Sequence, residues 1–170
     1  MKRFFLGVLA YVVPTFALGF VWHLILFEHY YAALAIYRSD IIIPFGFLSI
    51  LIQAVLFAWI YEKAFAQRNG TLMSRALAYA AFGAALSWSF TTLAVAAKNV
   101  MASVPSYLLI ETAFTIVLWI VVGPLTALAF NQSLHGNDRL RVPDVVPPAD
   151  DTRVLYPRIR RGLSPPVSHR

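Results

Sequence analysis

Cysteine is absent from this chain of 170 residues. Its absence excludes disulfide bonds, thiolate nucleophiles, a lipid anchor on cysteine and cysteine-ligated clusters. Charge is scarce too, because Asp, Glu, Lys and Arg together make up only 13% of the residues, about half of their usual share in soluble domains. So little charge could not cover the surface of an ordinary soluble domain.

The patterns of the common enzyme classes are missing as well. The chain has no glycine-rich phosphate loop, nucleophile elbow, kinase motif or HExxH zinc motif, and no paired carboxylates within an apolar run. His23 and His29 are six residues apart, about 240° around a helix, so they share no face for a bis-histidine haem or a zinc ion. No catalytic residue, metal ligand or cofactor is therefore predicted, and a non-enzymatic protein is favoured.

Apolar residues are abundant, at 59% of the chain with a mean hydropathy of +0.68. Four runs almost without charge reach the length of about 20 residues that a membrane-crossing helix needs. They cover residues 4–27, 41–61, 72–97 and 107–130. In lipid a backbone must satisfy its own hydrogen bonds, which favours helices. The sequence thus predicts an all-α, polytopic membrane protein, a four-transmembrane-helix bundle over residues 1–130.

A secretory signal peptide is the alternative for the first run, since "MKRFFLGVLAYVVPTFA" has a basic start, an apolar centre and small residues at cleavage-like spacing. The apolar run continues through "LGFVWHLILF" to a total of about 24 residues, whereas a signal sequence needs about 7–15. A membrane span is the favoured interpretation.

Basic residues predict the orientation. Twelve of the fourteen lysines and arginines precede the first run, separate the second from the third, or follow the fourth. Only Arg38 and Lys98 lie in the two alternate loops. By the positive-inside rule both termini are predicted to be cytoplasmic, and the loops around these two residues are predicted to face outward. The net charge of +6 is distributed as the positive-inside rule expects of a membrane protein. It therefore does not indicate a nucleic-acid partner.

The last forty residues differ in character. Residues 131–170 hold six of the ten prolines and charges of both signs without a hydrophobic period, so a disordered basic cytoplasmic tail is predicted. Arg158, Arg160 and Arg161 could lie on anionic lipid headgroups. Alternatively they are solvated and help only to set the topology.

Two ionisable residues lie within the predicted spans. His23 is about one turn from the outer end of the first helix, and Glu111 is about one turn from the outer end of the fourth. Because these helices run in opposite directions, the two side chains reach a similar depth. Thr115 follows Glu111 on the same face, and Glu28, His29 and Lys98 lie at the outer rim. The sequence predicts an outward-facing polar pocket in which a carboxylate orients the imidazole.

Two further helix faces carry small or polar residues. Ala76, Ala80, Gly83 and Ser87 in the third run predict a close helix contact, and Gly46, Ser49 and Gln53 in the second run predict another inward face. Gln53 and Ser87 are expected to be inner contacts of the polar pocket. Trp22 and Tyr31 near the outer boundary are typical of an interfacial aromatic belt.

Residues of the first two runs carry a resemblance. With Trp22–His23 ending the first helix, Tyr37–Arg38 in the loop, and then Ile43–Pro44, Gly46 and Gln53, the chain resembles a family of small bacterial four-helix inner-membrane proteins, a domain of unknown function. The resemblance implies the fold and the bacterial inner membrane. It implies no activity.

Two functional hypotheses follow. The first is a non-enzymatic accessory or structural membrane component, whose partners are the lipid bilayer and another membrane protein or further copies of the chain. The second is a small-molecule or proton-handling protein that uses His23 and Glu111. In a third interpretation the two residues form a hydrogen bond that only locks two helices together.

Overall fold

Every regular element is a helix in the part of the chain that the structure, a computed structural model, describes, namely residues 1–38 and 40–138. The predicted tail from residue 139 onward, with Arg158, Arg160 and Arg161, lies outside the described residues. The α-helices are α1 (Lys2–Val21), α2 (Glu28–Leu34), α3 (Ile43–Ile60), α4 (Leu72–Ser87), α5 (Ala94–Lys98) and α6 (Val104–Asp138). π-helical segments continue α1 (Trp22–Leu26) and α3 (Tyr61–Phe65) and join α4 to α5 (Trp88–Leu93).

Four continuous helical stretches are long and apolar enough to cross a membrane: Lys2–Leu26, Ile43–Phe65, Leu72–Lys98 and Val104–Asn131. The prediction of four long apolar helices is confirmed. α3 begins at Ile43 rather than at residue 41, with Pro44 in its first turn, where a missing N–H costs nothing. α6 continues to Asp138, so residues 131–138 are helical where disorder was predicted. That stretch contains no proline, and an established helix extends at little cost.

The long helices pack in the order α3, α1, α6, α4. α3 and α4 meet near their connecting loop, where the ring of Tyr79 lies 4.9 Å from that of Tyr61 and 5.4 Å from that of Phe65. Further from the loop a cleft of about 230 Å³ separates the two helices. The bundle is therefore open between α3 and α4.

Small residues let α4 approach α6. An added Cβ at Gly123 would lie 2.7 Å from the Cβ of Ala80, and one at Gly83 would overlap the Trp119 ring. The Trp119 ring is buried among those of Tyr11, Phe57 and Tyr79. The small-residue face predicted in α4 thus contacts α6.

The other predicted inward face is not buried. Gly46 and Ser49 are exposed and Gln53 is half-buried, because α3 turns a different face, with Ala54, Phe57 and Ala58, toward α1 and the core. The prediction that the Gly46, Ser49 and Gln53 face points into the bundle is wrong for its first two members. A helix at the edge of such a packing order has one neighbour along most of its length and leaves its remaining faces uncovered.

Candidate functional site

His23 lies on the π-helical segment that continues α1, and both of its ring nitrogens are engaged. Nε2 is 3.2 Å from Oε1 of Glu111 on α6, and Nδ1 is 2.9 Å from the backbone carbonyl oxygen of Gly19. The structure therefore brings together the two ionisable residues predicted to meet. The end of the bundle that carries them is called the His23 end below.

Tyr31 on α2 is the third member of this cluster. The sequence pattern had instead predicted that it belongs to an interfacial aromatic belt. Its hydroxyl donates a hydrogen bond of 2.7 Å to Oε1 of Glu111, and its ring centroid lies 4.8 Å from that of His23. Tyr31 is 1% exposed and Glu111 8% exposed. Burial, together with the nearby charge of the Glu111 carboxylate, raises the pKa of the Tyr31 hydroxyl far above its usual value, so it remains a donor.

The position of α2 depends on a local backbone feature. α2 ends at Leu34, and the next residue, Ala35, adopts the left-handed conformation with φ 55°. The Leu34 carbonyl then accepts a hydrogen bond of 3.0 Å from the backbone N–H of Ala102, in the loop before α6. α2 is thereby held across the His23 end, with Tyr31 pointing to Glu111.

The contacts of His23 determine how many protons the cluster holds. The Gly19 carbonyl can only accept, so Nδ1 carries a hydrogen. A hydrogen bond between Nε2 and Oε1 then needs one more proton, either on the imidazole or on the carboxyl group. His23 and Glu111 share this proton, in an ion pair or in a neutral pair, while Tyr31 donates to the same oxygen.

A cavity of about 550 Å³ lies beside His23, between α1 and the start of α3. Its walls are mainly apolar, and His23, Tyr37 and Arg38 contribute the polar side chains. Glu111 does not line the cavity, so the imidazole stands between the cavity and the buried carboxylate. Gly19, whose carbonyl oxygen contacts Nδ1 of His23, also lines the cavity.

Two glycines in the cavity wall have no packing role. A Cβ added at Gly19 or Gly46 would meet nothing within 4 Å. Glycine inside a helix lowers the stability of the helix by about 1 kcal/mol relative to alanine. At Gly83 a close contact with the Trp119 ring requires glycine. At these two positions the missing side chains leave space open beside His23.

The other residues predicted for the pocket do not contact His23: one bonds to the backbone of its own helix, and the others line a different cleft or are exposed. Thr115 donates its hydroxyl to the backbone carbonyl of Glu111 at 2.8 Å. Gln53 and Ser87 line the cleft between α3 and α4, not the cavity at His23. Ser87 accepts a hydrogen bond of 2.8 Å from Nε1 of Trp119. The predicted rim residues are exposed: Glu28, His29 and Lys98.

Among the side chains that the structure describes, in residues 1–38 and 40–131, no three from His, Asp or Glu converge as a metal site would require. The chemistry of the His23 end is therefore that of one shared proton, an orienting hydroxyl and an adjacent apolar cavity. Comparisons of the chain with protein-family models, with curated proteins and with solved structures find no match.

Proposed function

We propose that this protein is a non-enzymatic integral membrane protein that binds a small, largely apolar molecule with a hydrogen-bonding head group in the cavity beside His23. One observation carries the proposal: the imidazole forms a polar wall of an apolar cavity while its far side contacts a buried carboxylate. The cavity volume is within the range of about 300–1,000 Å³ that is typical of small-molecule sites.

The cluster gives the imidazole a defined tautomer and a tunable charge. Tyr31 orients Glu111, and Glu111 contacts Nε2 of His23, which leaves Nδ1–H, next to the cavity-lining Gly19, as the group that would meet a bound molecule. A carbonyl or hydroxyl oxygen of the bound molecule would take this hydrogen bond in place of Gly19. Transfer of the shared proton toward Nε2 would strengthen it, because a charged donor forms the stronger bond.

Filling the cavity tests the proposal without touching the cluster. Gly46→Leu places a side chain in the open space, and Val55→Leu, at an exposed position outside the cavity on the same helix, is the matched control. In native mass spectrometry of protein gently extracted from its own membrane, we expect a bound small molecule on the wild-type protein and on Val55→Leu. We expect at least a tenfold loss in Gly46→Leu.

Two outcomes would contradict this function. A wild-type protein that carries no small molecule, or a bound mass that Gly46→Leu leaves in place, would leave the contact of His23 with Glu111 as a helix-to-helix hydrogen bond. Both leucine variants should still unfold cooperatively and remain folded at the temperature of the extraction, which separates loss of the ligand from loss of the fold.

The proposed location is the bacterial inner membrane with both termini in the cytoplasm. The distribution of basic residues supports it, because Arg3 and Arg75 lie at the end opposite His23 and Arg3 pairs with Glu62 there at 2.8 Å. A reporter protein fused after Arg170 is expected to be active in its cytoplasmic form. Activity of a periplasmic reporter at this position would reverse the orientation and place the His23 cavity on the inner side.

An accessory role remains a second proposed function. The little-buried faces of α3 and α4 support it, since uncovered helix surface in a membrane is available to other helices. In this role the described helices would associate with a further membrane component, and the arginine-rich tail would contact anionic lipid.

A further inference from the structure

Gln53 places an amide group close to the middle of a long apolar helix. It lies near the centre of the 23-residue stretch Ile43–Phe65, and the residues around it on α3 are almost all apolar. In hydrocarbon no water is present to satisfy a polar group, so an amide at this depth must find protein partners.

The described residues satisfy this amide in part. Oε1 of Gln53 accepts a hydrogen bond of 3.1 Å from the Tyr11 hydroxyl, and Nε2 donates one of 3.0 Å to Oγ of Ser49. An amide offers two N–H donors and two acceptor positions. One donor and one acceptor position of Gln53 therefore form no hydrogen bond with the part of the chain that the structure describes.

The surface around Gln53 is uncovered. Leu48, Ile52 and Leu56 on α3 are each more than half exposed, and the cleft toward α4 opens beside them. α3 packs along its length on α1, and α4 lies across the open cleft from Gln53 and Leu56 without covering this side of α3. We name it the Gln53 surface, formed by Leu48, Ser49, Ile52, Gln53 and Leu56.

We propose that a second copy of this chain packs against the Gln53 surface. In a two-fold symmetric contact each copy presents the same residues, and an amide complements itself because it carries a donor and an acceptor. The free N–H of one Gln53 would donate to Oε1 of the other, and the reverse bond would follow by symmetry. The surface bears no charge that would repel its copy, and a lipid chain could not satisfy the amide.

The absence of cysteine makes the test direct. Single variants Leu48→Cys, Ile52→Cys and Leu56→Cys place a thiol on the Gln53 surface, and Val13→Cys places an equally exposed thiol on α1 beside α6. On mild oxidation in native membranes we expect disulfide-linked dimers from at least one of the first three variants. We expect at least tenfold less dimer from Val13→Cys.

Gln53→Leu keeps a similar side-chain volume and removes the amide. In the cysteine background that cross-links best, it should lower the dimer yield about tenfold, as expected for loss of two interhelical hydrogen bonds. Tyr11→Phe removes the hydrogen bond between Tyr11 and Gln53 but keeps the amide, so it should retain the dimer and controls for disturbance of the fold.

The proposal is overturned if none of the three α3 cysteines gives a dimer, or if Val13→Cys gives as much. It is also overturned if the cross-linked product contains a different polypeptide, which would make the Gln53 surface a site for a separate membrane protein. Because Gly46→Leu tests the cavity and Gln53→Leu tests this surface, failure of one proposal leaves the other standing.

Discussion

Replacing Gly83 with alanine is expected to lower the free energy of unfolding by about 3 kcal/mol, the upper end for overpacking a core. The added Cβ would overlap the Trp119 ring. That ring cannot move aside easily, because it is 1% exposed and its Nε1 donates to Ser87 at 2.8 Å. Reversible unfolding in mixed detergent, followed by tryptophan fluorescence and circular dichroism, measures the change.

Gly19→Ala is the matched control for this substitution. It introduces the same methyl group into a helix at a position where nothing lies within 4 Å. Its stability should stay within about 0.5 kcal/mol of the wild-type value or rise slightly, since alanine is the better helix former. Equal losses in both variants would contradict the assignment of the loss to the contact between residue 83 and the Trp119 ring.

Replacing Glu111 with leucine is expected to cost about 2–4 kcal/mol of unfolding free energy. The Tyr31 hydroxyl and Nε2 of the His23 imidazole both lose their shared hydrogen-bond partner while they stay largely buried, and each unsatisfied buried group costs about 1–3 kcal/mol. The same detergent unfolding experiment measures the loss, and release of α2 should appear as faster hydrogen exchange at Tyr31.

Glu111→Gln separates the hydrogen bonds from the charge. In the wild type both hydrogen bonds end on Oε1, whereas glutamine would need two atoms for them: its amide oxygen would accept from Tyr31 and, after rotation of the amide, its N–H would donate to Nε2 of His23. We therefore expect most of the stability to return, within about 1 kcal/mol of the wild type. If glutamine is as damaging as leucine, the ion pair and not the neutral pair is the form that holds the helices together.

The long helices were predictable because each is a nearly uncharged run of sufficient length, a signal that needs no tertiary information. The meeting of His23 with Glu111 was predictable too, since opposite helix directions and similar distances from the loops place them at one depth. Both predictions follow from local sequence and one geometric rule.

The contribution of Tyr31 was not predictable in this way. It requires α2 to fold back over the His23 end, which depends on the left-handed backbone at Ala35 and on the hydrogen bond from Ala102, sixty-eight positions beyond its acceptor Leu34 in sequence. Gln53 and Ser87 were predicted to contact the polar pocket at His23, but they line the cleft between α3 and α4. The packing order of the helices decides which polar groups meet. A sequence pattern shows which residues share one face of a helix, but it does not show which other helix packs against that face.

The bond from Ala102 to Leu34 ties together the two connections at the His23 end. Leu34 and Tyr31 lie one turn apart on the same short helix, and Tyr31 holds Glu111. The short helix α2 therefore braces the loop before α6 against the Glu111 carboxylate, so a change in that loop would also displace the hydroxyl that orients this carboxylate.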